Sequence, residues 1–297
     1  MGHGNWTRES FVRYSTTMGR TVDDRGVLNN GLTDRDIFAQ RRLHPGLNPK
    51  GVIRECCDTK EHPRTVPVIL ALDVTGSMGA ASAEVAKKLN EVMTLLYDQV
   101  EDVEFMIMGI GDLAYDSAPI QISQFESDIR IAEQLDQVYM EHGGGGNAYE
   151  SYTAAWYMGL HHTKLDCHKR GCKGLIITMG DEPLNPYLPR EPLARATGDP
   201  LQQHVETPQL YREAEKRFEI HHLHVTHTRT DMYRERVEQS FGKQLPEGHL
   251  RFVNVDSIAG AIVDIVKQHA HDAKNAAWKP ETEKKNVAGG LKRLISW

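Results

Sequence analysis

Strand-length apolar runs alternate with helix-length segments through most of the chain, and few folds accept that order. "TVPVILALDV" (65–74), "VEFMIMGI" (103–110) and "KGLIITMG" (173–180) are almost continuously apolar, the pattern of strands covered on both faces. "FEIHHLHVTHT" and "LRFVNV" add two more strands, and the more polar "APIQISQF" suits a sheet edge. Between them, "SAEVAKKLNEVMTLLYDQV" sets Val85, Leu89, Val92 and Leu96 three or four apart, one apolar stripe of a helix. "DIRIAEQLDQVYM", "AYESYTAAWYMGL", "DMYRERVEQSF" and "SIAGAIVDIVKQHA" read as further helices. The order predicts an α/β fold: a doubly wound, mostly parallel central sheet flanked by helices, Rossmann-like in outline. Ligands of such sheets sit outside the carboxyl ends of the strands, where the strand order reverses.

Residues 64–272 carry this pattern. Residues 1–63 are polar, without sustained periodicity, and predict an irregular N-terminal extension with a short helix near Asp34 to Arg41. Residues 273–297 form a charged C-terminal tail closing in "LKRLISW", with Leu291, Leu294 and Ile295 at helical spacing and Trp297 beyond. Asp181 to Pro208 is Pro-rich and reads as an irregular surface excursion. With 41 acidic against 35 basic residues, a formal charge of -6 gives no nucleic-acid footprint. The apolar runs are too short to span a bilayer and no secretory segment is evident, so a cytoplasmic protein without membrane partners is expected. Cys56, Cys57, Cys167 and Cys172 are then expected as thiols.

The first apolar strand ends in "LALDVTGSMGA" (70–80), where Asp73, Thr75 and Ser77 stand two apart. Oxygen-only donors suit a hard cation, and Mg²⁺ takes about six oxygens, several of them water. Two further segments lie at neighbouring strand ends: "GGGGNAYE" before a helix, and "TMGDEP" after a buried strand. The competing reading makes Asp73 and Ser77 helix N-caps that satisfy amide groups with no metal at all.

Asp73-Val74-Thr75-Gly76-Ser77-Met78, closing a strand and opening a helix, resembles the metal-ion-dependent adhesion site of the von Willebrand factor A (VWA) family, whose first motif is D-x-[ST]-x-S. The resemblance covers residues 64–272. It implies that Thr75 and Ser77 bind a divalent cation directly, Mg²⁺ or Mn²⁺, and that carboxylates bind directly or through water. It also implies that an acidic residue of a protein partner completes the shell. Where the family has Thr after a glycine pair, this chain has Asn147 after four glycines, with Glu150 one turn later. Where the family has Asp-Gly, this chain has Gly180-Asp181-Glu182. Asp181 is the expected last acid, Glu182 its competitor, and Asp112 in "GIGD" a supporting acid.

Stand-alone VWA proteins of this kind often act as adaptors, including for AAA+ ATPases, or in stress and defence complexes. The resemblance therefore implies a non-catalytic, metal-dependent protein binder. Two alternatives stay open: an α/β-hydrolase-like enzyme with Ser77 as nucleophile, in the chain order Ser77, Asp181, then His224 or His227, or a structural fold with no ion. "HHTKLDCHKRGC" mixes Cys and His loosely, which suits either zinc or a solvated loop. Gly143–Gly146 lacks the Gly-Lys-Ser/Thr of a phosphate cradle and reads as a close backbone approach.

Overall fold

A computed structural model describes residues 4–29, 31–141, 149–226 and 234–275. Its helices are α1 (Arg8–Thr17), α2 (Asp34–Ile37), α3 (Gly79–Lys87), α4 (Leu89–Tyr97), α5 (Arg130–Leu135), α6 (Thr153–His161), α7 (Arg190–Thr197), α8 (Thr207–Ala214), α9 (Arg234–Gly242) and α10 (Ile258–Asn275). Its strands are β1 (Arg54–Cys56), β2 (Val66–Asp73), β3 (Val103–Ile110), β4 (Ile120–Ile122), β5 (Thr163–Leu165), β6 (Gly174–Gly180), β7 (Tyr187–Leu188), β8 (Val205–Glu206), β9 (Phe218–Val225) and β10 (Leu250–Val253). The main sheet runs β10-β9-β6-β2-β3-β4, parallel except for the β3–β4 edge pair.

From β2 the chain winds outward through β3 and β4, then returns to the other side of β2 with β6 and winds out through β9 and β10. The order therefore reverses between β2 and β6. Their carboxyl ends, Asp73 and Gly180, flank the crevice where such sheets bind ligands.

Strand alternation builds two cores. Val68, Leu70 and Leu72 face one layer with Val85, Leu89, Val92 and Leu96, joined by Ile262 and Val266 of α10. Ile69 and Ala71 face the other, with Trp156 of α6, Leu210 of α8 and Phe241 of α9. The stripe predicted for residues 82–100 is real, but the helix breaks at Lys88, so α3 and α4 are separate.

Three features differ from the sequence expectation. Helix α1 lies inside the extension, capped by Thr7 and burying only Phe11 and Ser15, too few apolar positions to announce a period. Trp6, Phe11, Leu28, Phe38 and Leu47 pack into the same core as α4 and α10, so the extension is tied to the body by apolar burial. The Pro-rich connection contains the antiparallel pair β7–β8 and helix α7, held by buried Leu188 and Leu193. The "LKRLISW" tail lies outside the described residues. No described helix is long and apolar enough to cross a membrane.

Glu104 on β3 is 1% exposed, and its Oε2 has no hydrogen-bond partner among the described residues. Burial pushes its carboxyl up to about 7, against the opposing hydrogen bond from Cys56 and the charge of His62. A carboxyl raised on folding favours the native state at low pH, and that contribution falls as pH climbs from the ordinary Glu value of about 4.3 toward 7. Glu104→Gln is therefore expected to melt like the parent near pH 4. At pH 8 it should melt higher, by on the order of 2 kcal/mol. Thermal melts at the two pH values check this; equal melting at pH 8 would contradict it.

Candidate metal centre at the reversal of strand order

β2 delivers Asp73 fully buried at its last position. The chain then turns through a short 3-10 segment, Gly76–Met78, before α3 begins. Asp73 Oδ1 accepts the Thr75 amide at 2.9 Å and the Thr75 hydroxyl at 2.5 Å. Its Oδ2 accepts the Tyr152 hydroxyl at 2.8 Å, and the Asp73 carbonyl accepts Ser82 Oγ at 3.0 Å. The carboxylate is thus held by two segments, through Thr75 and Tyr152, and the Asp73 main chain by a third, through Ser82.

The hydroxyls do not cap the helix. Thr75 and Met78 occupy the cap positions of the 3-10 turn and of α3, and neither makes a side-chain capping bond. Ser77 Oγ instead reaches across 104 residues to donate to Asp181 Oδ1 at 3.2 Å, and lies 3.4 Å from Thr75 Oγ1. This geometry disfavours the N-cap reading for Ser77, since a capping serine would turn back to its own helix; Asp73 does satisfy one amide, that of Thr75. Among the described residues the hydrogen-bond partners of Ser77 Oγ are Asp181 and Thr75.

Asp181 follows β6 directly and is 3% exposed. Glu150, paired by an isolated bridge to Leu184, is buried beside them, and its Oε2 has no hydrogen-bond partner among the described residues. The same holds for Asp112 Oδ2 and Glu182 Oε2. Asp112 otherwise accepts the Ala114 amide at 2.7 Å, and the Asp116 carboxylate accepts the Asp112 amide at 2.7 Å.

The electrostatics follow from crowding carboxylates out of water. Burial first, then the charge of Asp181, raises the Asp73 carboxyl above its usual range, against the hydrogen bonds from Thr75 and Tyr152. Burial raises Glu150 too, with Asp73, Asp116, Asp112 and Glu182 adding repulsion. Glu182 is raised by burial and then by Asp181, with Arg236 opposing. Like charges held this close in low dielectric disfavour ionisation, and a bound cation inverts that logic. Among the described residues the donors are all oxygen, several carboxylate oxygens lack a hydrogen-bond partner, and neither thiol nor imidazole joins them. That set fits a hard divalent ion.

The structure brings together Asp73, Thr75, Ser77 and Asp181, with Glu150 and Asp112 at the same rim. Asn147 and Gly143–Gly146 lie outside the described residues, as does His227. Glu182 contributes its amide to the Tyr152 hydroxyl at 3.2 Å. Sequence reading missed Tyr152, whose ring lies over Gly180: a Cβ on Gly180 would fall 1.9 Å from the Tyr152 oxygen. The only signal was an aromatic near the helix start, which reads equally well as core. His222, behind Tyr152, stacks on Phe241 at 3.9 Å and pairs with Thr178 Oγ1 at 2.8 Å, so it supports the site's floor.

The mixed Cys/His loop is committed elsewhere. His162 bonds the Val52 carbonyl and Asp199, His168 bonds the Arg217 carbonyl, and Cys167 is buried with its thiol pushed up to about 12 by that burial. Among the described residues the four cysteines join no metal-ligating group.

No protein-family model and no curated protein matches this chain. Among solved structures it is similar to the pilus adhesin SpaC of Lactobacillus rhamnosus GG in its open conformation, at 14% identity and TM-score 0.48, covering 75% of this chain and 31% of that one. It is also similar to the von Willebrand factor domain of the type V pilus tip protein Mfa5 of Porphyromonas gingivalis, at 12% identity and TM-score 0.43, covering 73% and 98%. A mutant of the minor pilin PilB of Streptococcus sanguinis matches at 8% identity and TM-score 0.44, covering 72% and 64%. The chain spans about a third of the SpaC adhesin. The likeness to these structures is one of coarse fold.

Proposed function

We propose that this chain is a metal-dependent protein-binding module, without turnover, that holds Mg²⁺ or Mn²⁺ at the reversal of strand order and uses it to capture an acidic residue of a protein partner. The carrying observation is the Ser77–Asp181 contact across two strand ends, set among buried carboxylate oxygens that have no hydrogen-bond partner among the described residues. Thr75 and Ser77 would ligate through hydroxyls, Asp73 and Asp181 directly or through water, and Asn147, outside the described residues, is the further ligand that the sequence resemblance implies. The ion supplies a directional positive contact with room for one more oxygen ligand. The protein's own part is positioning: Thr75, Tyr152 and Ser82 fix Asp73 before any ion arrives, so little side-chain entropy remains to be lost. An adaptor role in the cytoplasm, with an AAA+ ATPase or a stress or defence complex as the assembly served, fits a binder of this kind.

Pull-down from the native host with Mg²⁺ and with EDTA tests the reading. Retained proteins are expected to be lost with EDTA and with Asp73→Ala, and a model ester should not be turned over. Hydrolysis that needs no metal and disappears in Ser77→Ala would establish the hydrolase alternative instead.

A further inference from the structure

At the opposite end of the sheet a second group of ligating side chains gathers. Glu219 is the second residue of β9, five positions before His224, which pairs with Gly180 beside the Asp73 site. At ~3.3 Å per residue the two groups stand about 16 Å apart. Glu219 and His221 share one face of β9 by period two, and His249, immediately before β10, lies beside His221 on the neighbouring strand. Helix α10 packs over β9 and supplies His269.

One ligand atom from each of Glu219, His221 and His249 lies within 4.8 Å of the other two. His221 Nε2 donates to Glu219 Oε1 at 2.7 Å, and His269 Nδ1 donates to Glu219 Oε2 at 2.6 Å. Both histidines are nearly sealed, at 5% and 3% exposed, and the second nitrogen of each ring, His221 Nδ1 and His269 Nε2, has no hydrogen-bond partner among the described residues. His249 donates Nδ1–H to the Ile220 carbonyl at 2.8 Å, which leaves its Nε2 lone pair free to ligate. The His221 and His249 rings stack at 4.1 Å and 8°, a spacing that favours neutral imidazoles, the form that binds metal. Glu219 and His249 are half-buried, which leaves the group open to solvent on one side.

We propose that Glu219, His221 and His249 form a second cation site, selective for Zn²⁺ or a similar borderline transition-metal ion, with His269 orienting the Glu219 carboxylate. Two imidazoles and one carboxylate are a common zinc donor set, whereas Mg²⁺ prefers oxygen throughout. Three protein ligands leave a position for water. Uptake replaces the His221–Glu219 hydrogen bond and needs a turn of the half-exposed His249 ring out of its stack. The bound ion would clip β9 to the start of β10.

The test is Zn²⁺ titration of the full chain in saturating Mg²⁺ against a chromophoric chelator, with Co²⁺ as a spectroscopic stand-in. One equivalent of Zn²⁺ is expected, with the intense visible absorption of low-coordinate Co²⁺. Glu219→Gln and His249→Gln, both at half-exposed positions, should each weaken binding at least tenfold, and His269→Gln should weaken it less. Asp73→Ala should leave it unchanged, which separates this site from the Mg²⁺ site. Zn²⁺ uptake unaffected by Glu219→Gln and His249→Gln, or abolished instead by Cys57→Ser with Cys172→Ser, would overturn the proposal.

Discussion

Asp181→Asn is expected to melt at or above the temperature of the parent chain in EDTA, yet to gain nothing from Mg²⁺. The two halves of this result have separate causes. In the metal-free protein Asp73 and Asp181 are both buried; burial first and the charge of Asp181 second raise the Asp73 carboxyl, so removing the Asp181 charge relieves repulsion. Asn keeps an oxygen that can accept from Ser77, so the contact that joins the two strand ends survives. What it loses is charge, and with it cation affinity. An ion at one hundred times its dissociation constant stabilises the parent by about 2.7 kcal/mol, or roughly 4–5 °C in Tm for a chain of this size. Scanning calorimetry with and without Mg²⁺ reads both halves; an Mg²⁺ shift kept in the variant would remove Asp181 from the site.

Gly180→Ala is expected to damage both the fold and the site. The added methyl would lie 1.9 Å from the Tyr152 oxygen and 2.3 and 2.4 Å from two ring carbons, so a rigid ring would have to move. That ring is fully buried between His222 and Phe241 and has little room to yield. Overpacking of this kind costs about 3 kcal/mol, a Tm loss of roughly 5 °C in a chain of this size. Any shift also pulls the Tyr152 hydroxyl from Asp73 Oδ2 and from the Glu182 amide, so the cation response should fall with stability. Tyr152→Phe separates the effects: it keeps the packing, loses the two hydrogen bonds, and should weaken the cation response with a smaller fall in Tm. A Gly180→Ala protein with parental Tm and parental Mg²⁺ response would contradict the role given to this contact.

The doubly wound sheet was legible because buried parallel strands are written as unbroken apolar runs, as in residues 65–74 and 173–180. Asp73, Thr75 and Ser77 were legible because one turn holds all three, so local spacing sufficed. Asp181 needed only that β6 lie beside β2. Tyr152 was not legible, since its role comes from a ring crossing to the end of another strand. The Glu219, His221 and His249 group was hidden for a similar reason: two members share a strand, but the third joins only through the β9–β10 register. Helix α1 escaped because its burial rests on two residues.

Diffraction from a crystal soaked in Mn²⁺, with an anomalous difference map, locates the ion itself. The account predicts a peak shared by Ser77, Thr75 and Asp181 at the carboxyl ends of β2 and β6, absent from Asp181→Asn crystals. A map with no peak there, or with density confined to the Glu219 end of the sheet, would contradict it.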